Sequence, residues 1–200
     1  EFVSDFALPL PGMFICEQLG LPASEYTTFK KWADAMLAMS QRALSVDEAT
    51  AQAEFEVEAQ HHLVREFEAR RQNPTDDLIS KLVHAHTGGD EGDDEPFTTE
   101  QLLDLMHQLI TGGFETTTAA LGTAMWLLLR YPDQMDKLRA DPSLQKNFIE
   151  ESLRFDSPVA GLWRTTACPA SVSGVEIPEG SPVMARYAAA NRDASVFEDP

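Results

Sequence analysis

From Thr98 to Arg130 an apolar pattern at helical spacing runs without a break. It opens at Thr98-Thr99-Glu100-Gln101, where Thr98 fits the cap of a capping box and Gln101 the residue that reaches back to it. It closes at Tyr131-Pro132, because a proline drives the residue before it out of the helical region. About 33 residues make roughly 50 Å of helix, and a chain of 200 residues has one sizeable core for such a rod to cross. From Leu109 onward the pattern is apolar nearly all round, which predicts a helix buried through the middle of a domain. Its centre contradicts that. The stretch "LITGGFETTTAALGTAMWLLL" (109–129) sets two glycines, a glutamate and three consecutive threonines in the helix interior. Each glycine costs about 1 kcal/mol there relative to alanine. A carboxylate taken out of water costs more unless it is paired or protonated. Contradictions of this kind gather at functional sites. A membrane span is the competing reading, since about 21 mostly apolar residues reach across a bilayer. Glu115 near the centre, five threonines and the lack of a flanking Lys/Arg cluster argue against it.

The charge balance narrows the partners. Lys and Arg number 15 against 33 Asp and Glu, a net charge of −18. Phosphate backbones and anionic membranes both need clustered cations, so no nucleic acid and no membrane are expected as partners. Cys16 and Cys168 lie far apart, without metal-ligand spacing, which suits a reducing compartment and neither a disulfide framework nor a zinc site. With no signal peptide at its start, the chain is expected to be cytoplasmic. It starts at Glu1-Phe2-Val3 and stops at "VFEDP", and is expected to be a piece of something longer.

Along the chain, Pro9, Pro11, Gly20 and Pro22 punctuate an apolar run that suggests one helix bounded by turns. Amphipathic helices are predicted at 24–44 and about 47–72, and Thr75-Asp76-Asp77 reads as an N-cap ahead of Leu78, Ile79, Leu82 and Val83. "GGDEGDDEP" (88–96) is read as a solvated acidic loop; its spacing does not match a calcium-binding loop. Helices follow from Pro132 to Ala140 and over 142–155. Residues 158–190 then carry short Val, Ile and Thr runs split by Ser173-Gly174 and Pro178-Glu179-Gly180, which predicts a small sheet.

Chemistry concentrates on the long helix. Gly112, Glu115, Thr116 and Ala119 share one face. Without side chains at Gly112 and Gly113 a large flat group could approach the backbone, beside an acid and an alcohol able to relay protons. On spacing alone, a glycine-mediated helix crossing with a buried neutral glutamate stays equally open. Glu151 and Arg154 taken alone read as an exposed i, i+3 ion pair.

Taken together and in order, these elements resemble the cytochromes P450, the haem-thiolate monooxygenases. The family's [A/G]-G-x-[D/E]-T-[T/S] pattern is matched by Gly112-Gly113-Phe114-Glu115-Thr116-Thr117, and its E-x-x-R by Glu151 and Arg154. Its S-P-V…R-T segment is matched at Ser157-Pro158-Val159 and Arg164-Thr165, its I-P-x-G turn at Ile177–Gly180 and its A-N-R-D segment at Ala190–Asp193. The resemblance covers essentially the whole chain and looks like the soluble bacterial members. It implies a mainly α fold: the central part of the cytochrome P450 fold, with a long buried central helix and a small C-terminal β region. Residues 1–200 would form a single partial domain, with a helical body at 1–157 and a β region at 158–200. By the same resemblance Gly112 and Gly113 lie over the haem, and Glu115 and Thr116 help protonate dioxygen so that its O–O bond breaks. Arg164 pairs with a haem propionate, Val159, Ala160, Gly161 and Leu162 line the substrate pocket, and Glu151 and Arg154 are structural.

Three departures accompany the match. Neither cysteine lies in the family's F-x-x-G-x-x-x-C-x-G ligand loop, so no metal ligand is expected within this chain and the thiolate is expected beyond Pro200. The later arginine that partners Glu151 and Arg154 is also absent, and Ala194 stands where a proline commonly follows A-N-R-D. The expected activity is insertion of one oxygen atom from dioxygen into a small organic substrate. Electrons would come from a ferredoxin or flavoprotein, and the chain alone would be inactive and poorly soluble. The alternatives are a cofactor-free helical binding module or inactive remnant, and a peroxygenase, against which the intact Glu115-Thr116 pair counts.

Overall fold

The computed structural model describes residues 1–88 and 94–200, so most of the acidic loop read at 88–96 lies outside the described residues. Contacts divide the chain into two compact units, Glu1–Thr118 and Ala119–Pro200.

The first unit opens with a π-helical turn, Val3–Ala7, followed by α1 (Pro9–Gln18). The single helix expected here is thus two pieces. Leu8 N–H reaches back five residues to the Val3 carbonyl at 2.9 Å, and Pro9 and Pro11, having no N–H to give, suit the first turn of α1. A 3₁₀ turn at Ala23–Glu25 leads into α2 (Tyr26–Gln41), which ends three residues before the predicted Leu44 because Arg42 is extended. Then α3 (Val46–Gln72) starts from a capping box: Ser45 Oγ accepts from Glu48 N–H at 3.3 Å, and the Glu48 carboxylate accepts from Ser45 N–H at 2.8 Å. Asp77 caps α4 (Leu78–Val83) through a 2.7 Å bond from Ser80 N–H. Helix α5 (Thr99–Arg130) has the start read from its sequence. Thr98 N–H donates to Gln101 Oε1 at 2.9 Å, and Gln101 N–H to Thr98 Oγ1 at 3.2 Å.

One core fills this unit. Phe29 and Trp32 of α2, Leu63 and Phe67 of α3, Ile79 of α4 and Leu102, Met106, Ile110 and Phe114 of α5 are all buried in it. Each large side chain of this kind contributes about 1.5–3 kcal/mol by leaving water. Rings of Phe29 and Trp32 meet at 4.9 Å, and His62 of α3 lies 5.1 Å from Trp32. The burial of α5 is one-sided within this unit: positions 102, 106, 110 and 114 form an i, i+4 stripe, whereas Gly112 and Thr117 are exposed.

In the second unit the end of α5 is followed by α6 (Pro132–Ala140). The helix expected at 142–155 is a 3₁₀ turn, Pro142–Leu144, running into α7 (Gln145–Phe155). The predicted small sheet is two separate antiparallel pairs. β1 (Leu162–Thr165) pairs with β4 (Pro182–Ala185), placing Arg164 opposite Val183. Between them β2 (Ala170–Val172) and β3 (Val175–Ile177) form a hairpin. Its two turn residues, Ser173 and Gly174, have φ of 51° and 80°, the left-handed pair that a tight hairpin needs. A last turn of helix, α8 (Tyr187–Ala190), leads to Asn191. Trp126, Leu129, Ile149 and Trp163 are all more than half exposed. Among the described residues, no helix is long and apolar enough to cross a membrane.

Candidate functional site

The two glycines of α5 do different things. A Cβ built at Gly113 would sit 3.0 Å from Ile15 Cδ1, so Gly113 faces α1 and belongs to the packed stripe. The contact is reciprocated by Gly12 of α1, where a Cβ would come within 2.8 Å of the Phe114 ring. At Gly112 a Cβ would meet no atom within 4 Å among the described residues. Helix crossing therefore explains Gly113 and leaves Gly112 unexplained.

Gly112 shares its face with Glu115 and Thr116, both half-buried. The Thr116 hydroxyl donates to the Gly112 carbonyl at 2.5 Å, directly beside the open position. Thr111 and Thr118 make the same backward bond, to the His107 and Phe114 carbonyls at 2.7 and 2.9 Å. This is how the helix tolerates its threonines: each of these hydroxyls is satisfied by its own turn, at the cost of some bending. On the face of Gly112 the result is an open strip of backbone with a carboxylate and a hydroxyl along its edge.

The remaining expected residues stand in the second unit. Glu151 and Arg154 form a fork: Arg154 Nε and Nη2 each donate at 2.7 Å to a different Glu151 oxygen. The bond from Arg154 holds the Glu151 carboxyl below its usual range, and the same bond raises the guanidinium. A third donor, Arg154 Nη1, reaches the Asn191 carbonyl at 2.7 Å, and the Phe197 ring lies 5.1 Å from the guanidinium carbon. Arg154 is thus a hub, more than the exposed i, i+3 pair that its spacing alone suggests. Arg164 is exposed on β1 and donates to the Trp163 carbonyl at 2.8 Å. Of the four expected pocket residues, Gly161 is turned toward its own unit, where a Cβ would sit 2.6 Å from the Ala185 carbonyl. Val159 is half-buried, and Ala160 and Leu162 are exposed.

Gly112, Gly113, Glu115 and Thr116 thus stand together on one turn of α5 in the first unit. Glu151, Arg154, Arg164 and residues 159–162 cluster at the end of α7 and on β1 in the second. Cys16 is fully buried, and burial followed by the charge of Glu25 pushes its thiol up to about 11. Cys168 is exposed. Among the described residues, no group of three His, Cys, Asp or Glu side chains is arranged to hold a metal ion.

Two features had no separate reading in the sequence. Thr166 ties down the Ile177–Gly180 turn: its hydroxyl donates to the Pro178 carbonyl at 2.6 Å and accepts from Ser181 N–H at 2.9 Å. A cavity of about 470 Å³ opens among the end of α5, α6 and α7, lined by Leu127, Leu138, Phe148 and Phe155 with Glu151 at its wall.

The family model described as Cytochrome P450 matches residues 25–200. The chain is 36% identical over 201 residues to "Cytochrome P450 107B1" of Saccharopolyspora erythraea, covering 100% of this chain and 47% of the relative. It is 33% identical over 200 residues to "6-deoxyerythronolide B hydroxylase" of the same organism, again covering 100% and 47%. Among solved structures, ligand-free cytochrome P450 TbtJ1 superposes with a TM-score of 0.88 at 33% identity, over 100% of this chain and 51% of that one. The chain spans about half the length of the curated relatives it matches.

Proposed function

We propose, from the premise that the chain belongs to the cytochrome P450 family, that the intact protein is a haem-dependent monooxygenase. It would insert one oxygen atom from dioxygen into a small organic substrate, with electrons delivered by a ferredoxin or flavoprotein. Its bacterial relatives favour a cytoplasmic enzyme.

The residues of this chain suit that cofactor. The open backbone at Gly112 leaves room for a flat macrocycle where any larger side chain would project. The exposed Arg164 guanidinium has the fork geometry that a propionate carboxylate accepts. Neither cysteine is placed as its ligand, so the thiolate would come from outside residues 1–200. When bound, the haem supplies the activation of dioxygen, which amino-acid side chains do not provide.

Everything else falls to the protein. Glu115, at the edge of the open strip, passes protons inward from solvent. Thr116 holds the local helix geometry through its bond to the Gly112 carbonyl and presents a hydroxyl that can hand on a proton. Gly113 keeps α5 close to α1, so that the strip stays in place. Val159, Ala160 and Leu162 would line the substrate side, and Gly161 would shape the same loop by its close approach to β4. Glu151 and Arg154 brace the end of α7 and take no part in chemistry.

The observation that carries this reading is the face of α5 on which Gly112 is open and Thr116 is bonded back to it. Replacing Thr116 with Ala in the intact enzyme tests it. Reductant consumption should continue while product per reductant falls by about a hundredfold, the low end for the loss of one proton-handling group. Product formation that stays tightly coupled to reductant use would remove Thr116 from this role.

A further inference from the structure

The segment that carries Arg164 is held at both ends by one later stretch of chain. On the far side, β1 pairs with β4, and Ala188 N–H of α8 donates to the Ala160 carbonyl at 3.1 Å. These are backbone bonds, which many side chains permit. On the near side the closure depends on particular side chains. Asn191 Nδ2 donates to Ser157 Oγ at 2.9 Å. Arg192 Nη2 donates to the Phe155 carbonyl at 2.5 Å, and its guanidinium carbon lies 4.4 Å from the centre of the Phe155 ring. The Asn191 carbonyl meanwhile accepts from Arg154.

The contacts form a closed ring. It runs from the last turn of α7 through Ser157–Gly161 into β1, across to β4, along α8, and back through Asn191 and Arg192 to Phe155 and Ser157. Open the ring at Asn191 and Arg192, and β1 still pairs with β4. The Asn191 carbonyl keeps its bond from Arg154, but the strand pair loses its side-chain ties to Phe155 and Ser157, and Arg164 shifts with it.

We infer that Asn191 and Arg192 are positioning residues for Arg164, which fix its guanidinium relative to α7. The inference rests on the reading of Arg164 as the partner of a haem propionate. A fork-shaped donor is sensitive to displacement, because both of its bonds need the carboxylate in one plane and at one distance. A strand pair without the two side-chain ties to Phe155 and Ser157 supplies the sheet without that placement.

The test uses the intact, haem-loaded protein and follows transfer of haem to an excess of apomyoglobin. Parent, Arg164→Ala, Arg192→Ala and the double variant are compared. Each single change should speed haem release by about tenfold, the low end for a partner that orients a ligand-holding group. The double variant should release haem no faster than Arg164→Ala alone, because Arg192 acts through Arg164. The propionate-bending band in the resonance Raman spectrum should shift alike in both single variants. Arg192→Lys, which keeps a donor for the Phe155 carbonyl, should recover part of the retention.

Release at the parental rate in Arg192→Ala would overturn the inference, as would rates that multiply in the double variant. Release at the parental rate in Arg164→Ala would instead sink the propionate reading, and the inference with it. Should Arg192→Ala fail to fold, Asn191→Asp is read by the same rates. It keeps the backbone carbonyl used by Arg154 and loses the donor to Ser157.

Discussion

At Gly20 the chain leaves α1 with φ of +72°, and a Cβ there would lie 2.6 Å from Cβ and Cγ of Asp77. The tightness has a purpose. Asp77 is buried and must be satisfied. It accepts from Thr75 Oγ1 at 2.5 Å, from Ser80 N–H at 2.7 Å and from Arg70 Nε at 2.9 Å. Arg70 in turn donates to the Gly20 carbonyl at 2.9 Å and to Glu66 at 2.7 Å. A single guanidinium thus joins the exit of α1, the end of α3 and the cap of α4. Gly20→Ala would add left-handed backbone strain and push Asp77 out of its hydrogen bonds. The expected loss is about 2–3 kcal/mol, read from chemical denaturation midpoints of the intact protein. A loss under half of that would mean that the loop relaxes at little cost and that Asp77 keeps its partners.

At the scale of the element, α5 separates two demands that its sequence leaves mixed. Gly113 is required by Ile15, whereas nothing within 4 Å among the described residues requires Gly112. Gly112→Ala should therefore stabilise the fold by about 0.5–1 kcal/mol, the ordinary gain in helix propensity, in urea denaturation of the haem-free intact protein. Gly113→Val should destabilise it by about 1–3 kcal/mol through overpacking against α1. The reverse order would mean that packing occupies the face of Gly112, and the proposed site on α5 would go with it. How much of this was legible follows from where each signal lies. The Thr98-Gln101 box, the stop at Tyr131-Pro132 and the Ser173-Gly174 turn are local chemistry, and each holds in the structure. Which glycine faces Ile15 depends on a residue nearly a hundred positions away, which helical spacing cannot supply. For the same reason Arg154 reads as half of an i, i+3 pair in sequence and as a hub to Asn191 and Phe197 in the fold. Family resemblance marked these residues without telling which neighbours they hold.

For the molecule as a whole, the net charge of −18 sets two trends against each other as the pH falls. Protonating unpaired carboxylates relieves self-repulsion, which favours the folded state. Carboxylates with partners work the other way. At Asp77 burial raises the pKa, but bonds from Thr75, Ser80 and Arg70 outweigh it and leave the group below its ordinary range. Glu151 is lowered by Arg154, and Glu48 is held at about 2 by Arg42 and then by the Ser45 cap. Unfolded, these groups take up protons near their ordinary values of about 3.9–4.3. Between there and their folded values the unfolded state binds more protons, so their contribution is complete above about pH 5 and is lost as pH falls toward 2. The paired groups win below pH 4, because protonating Asp77 leaves Arg70, whose side chain is only 14% exposed, without that counter-charge. The denaturation midpoint should therefore stay nearly level from pH 7 to 5 and drop steeply below 4. Asp77→Asn should start lower at pH 7 and lose less over the acid range, since one of the proton-binding sites that drive the drop is gone. Parallel curves for parent and variant between pH 5 and 2 would show that acid unfolds this molecule through other carboxylates, with Glu151 the next to replace.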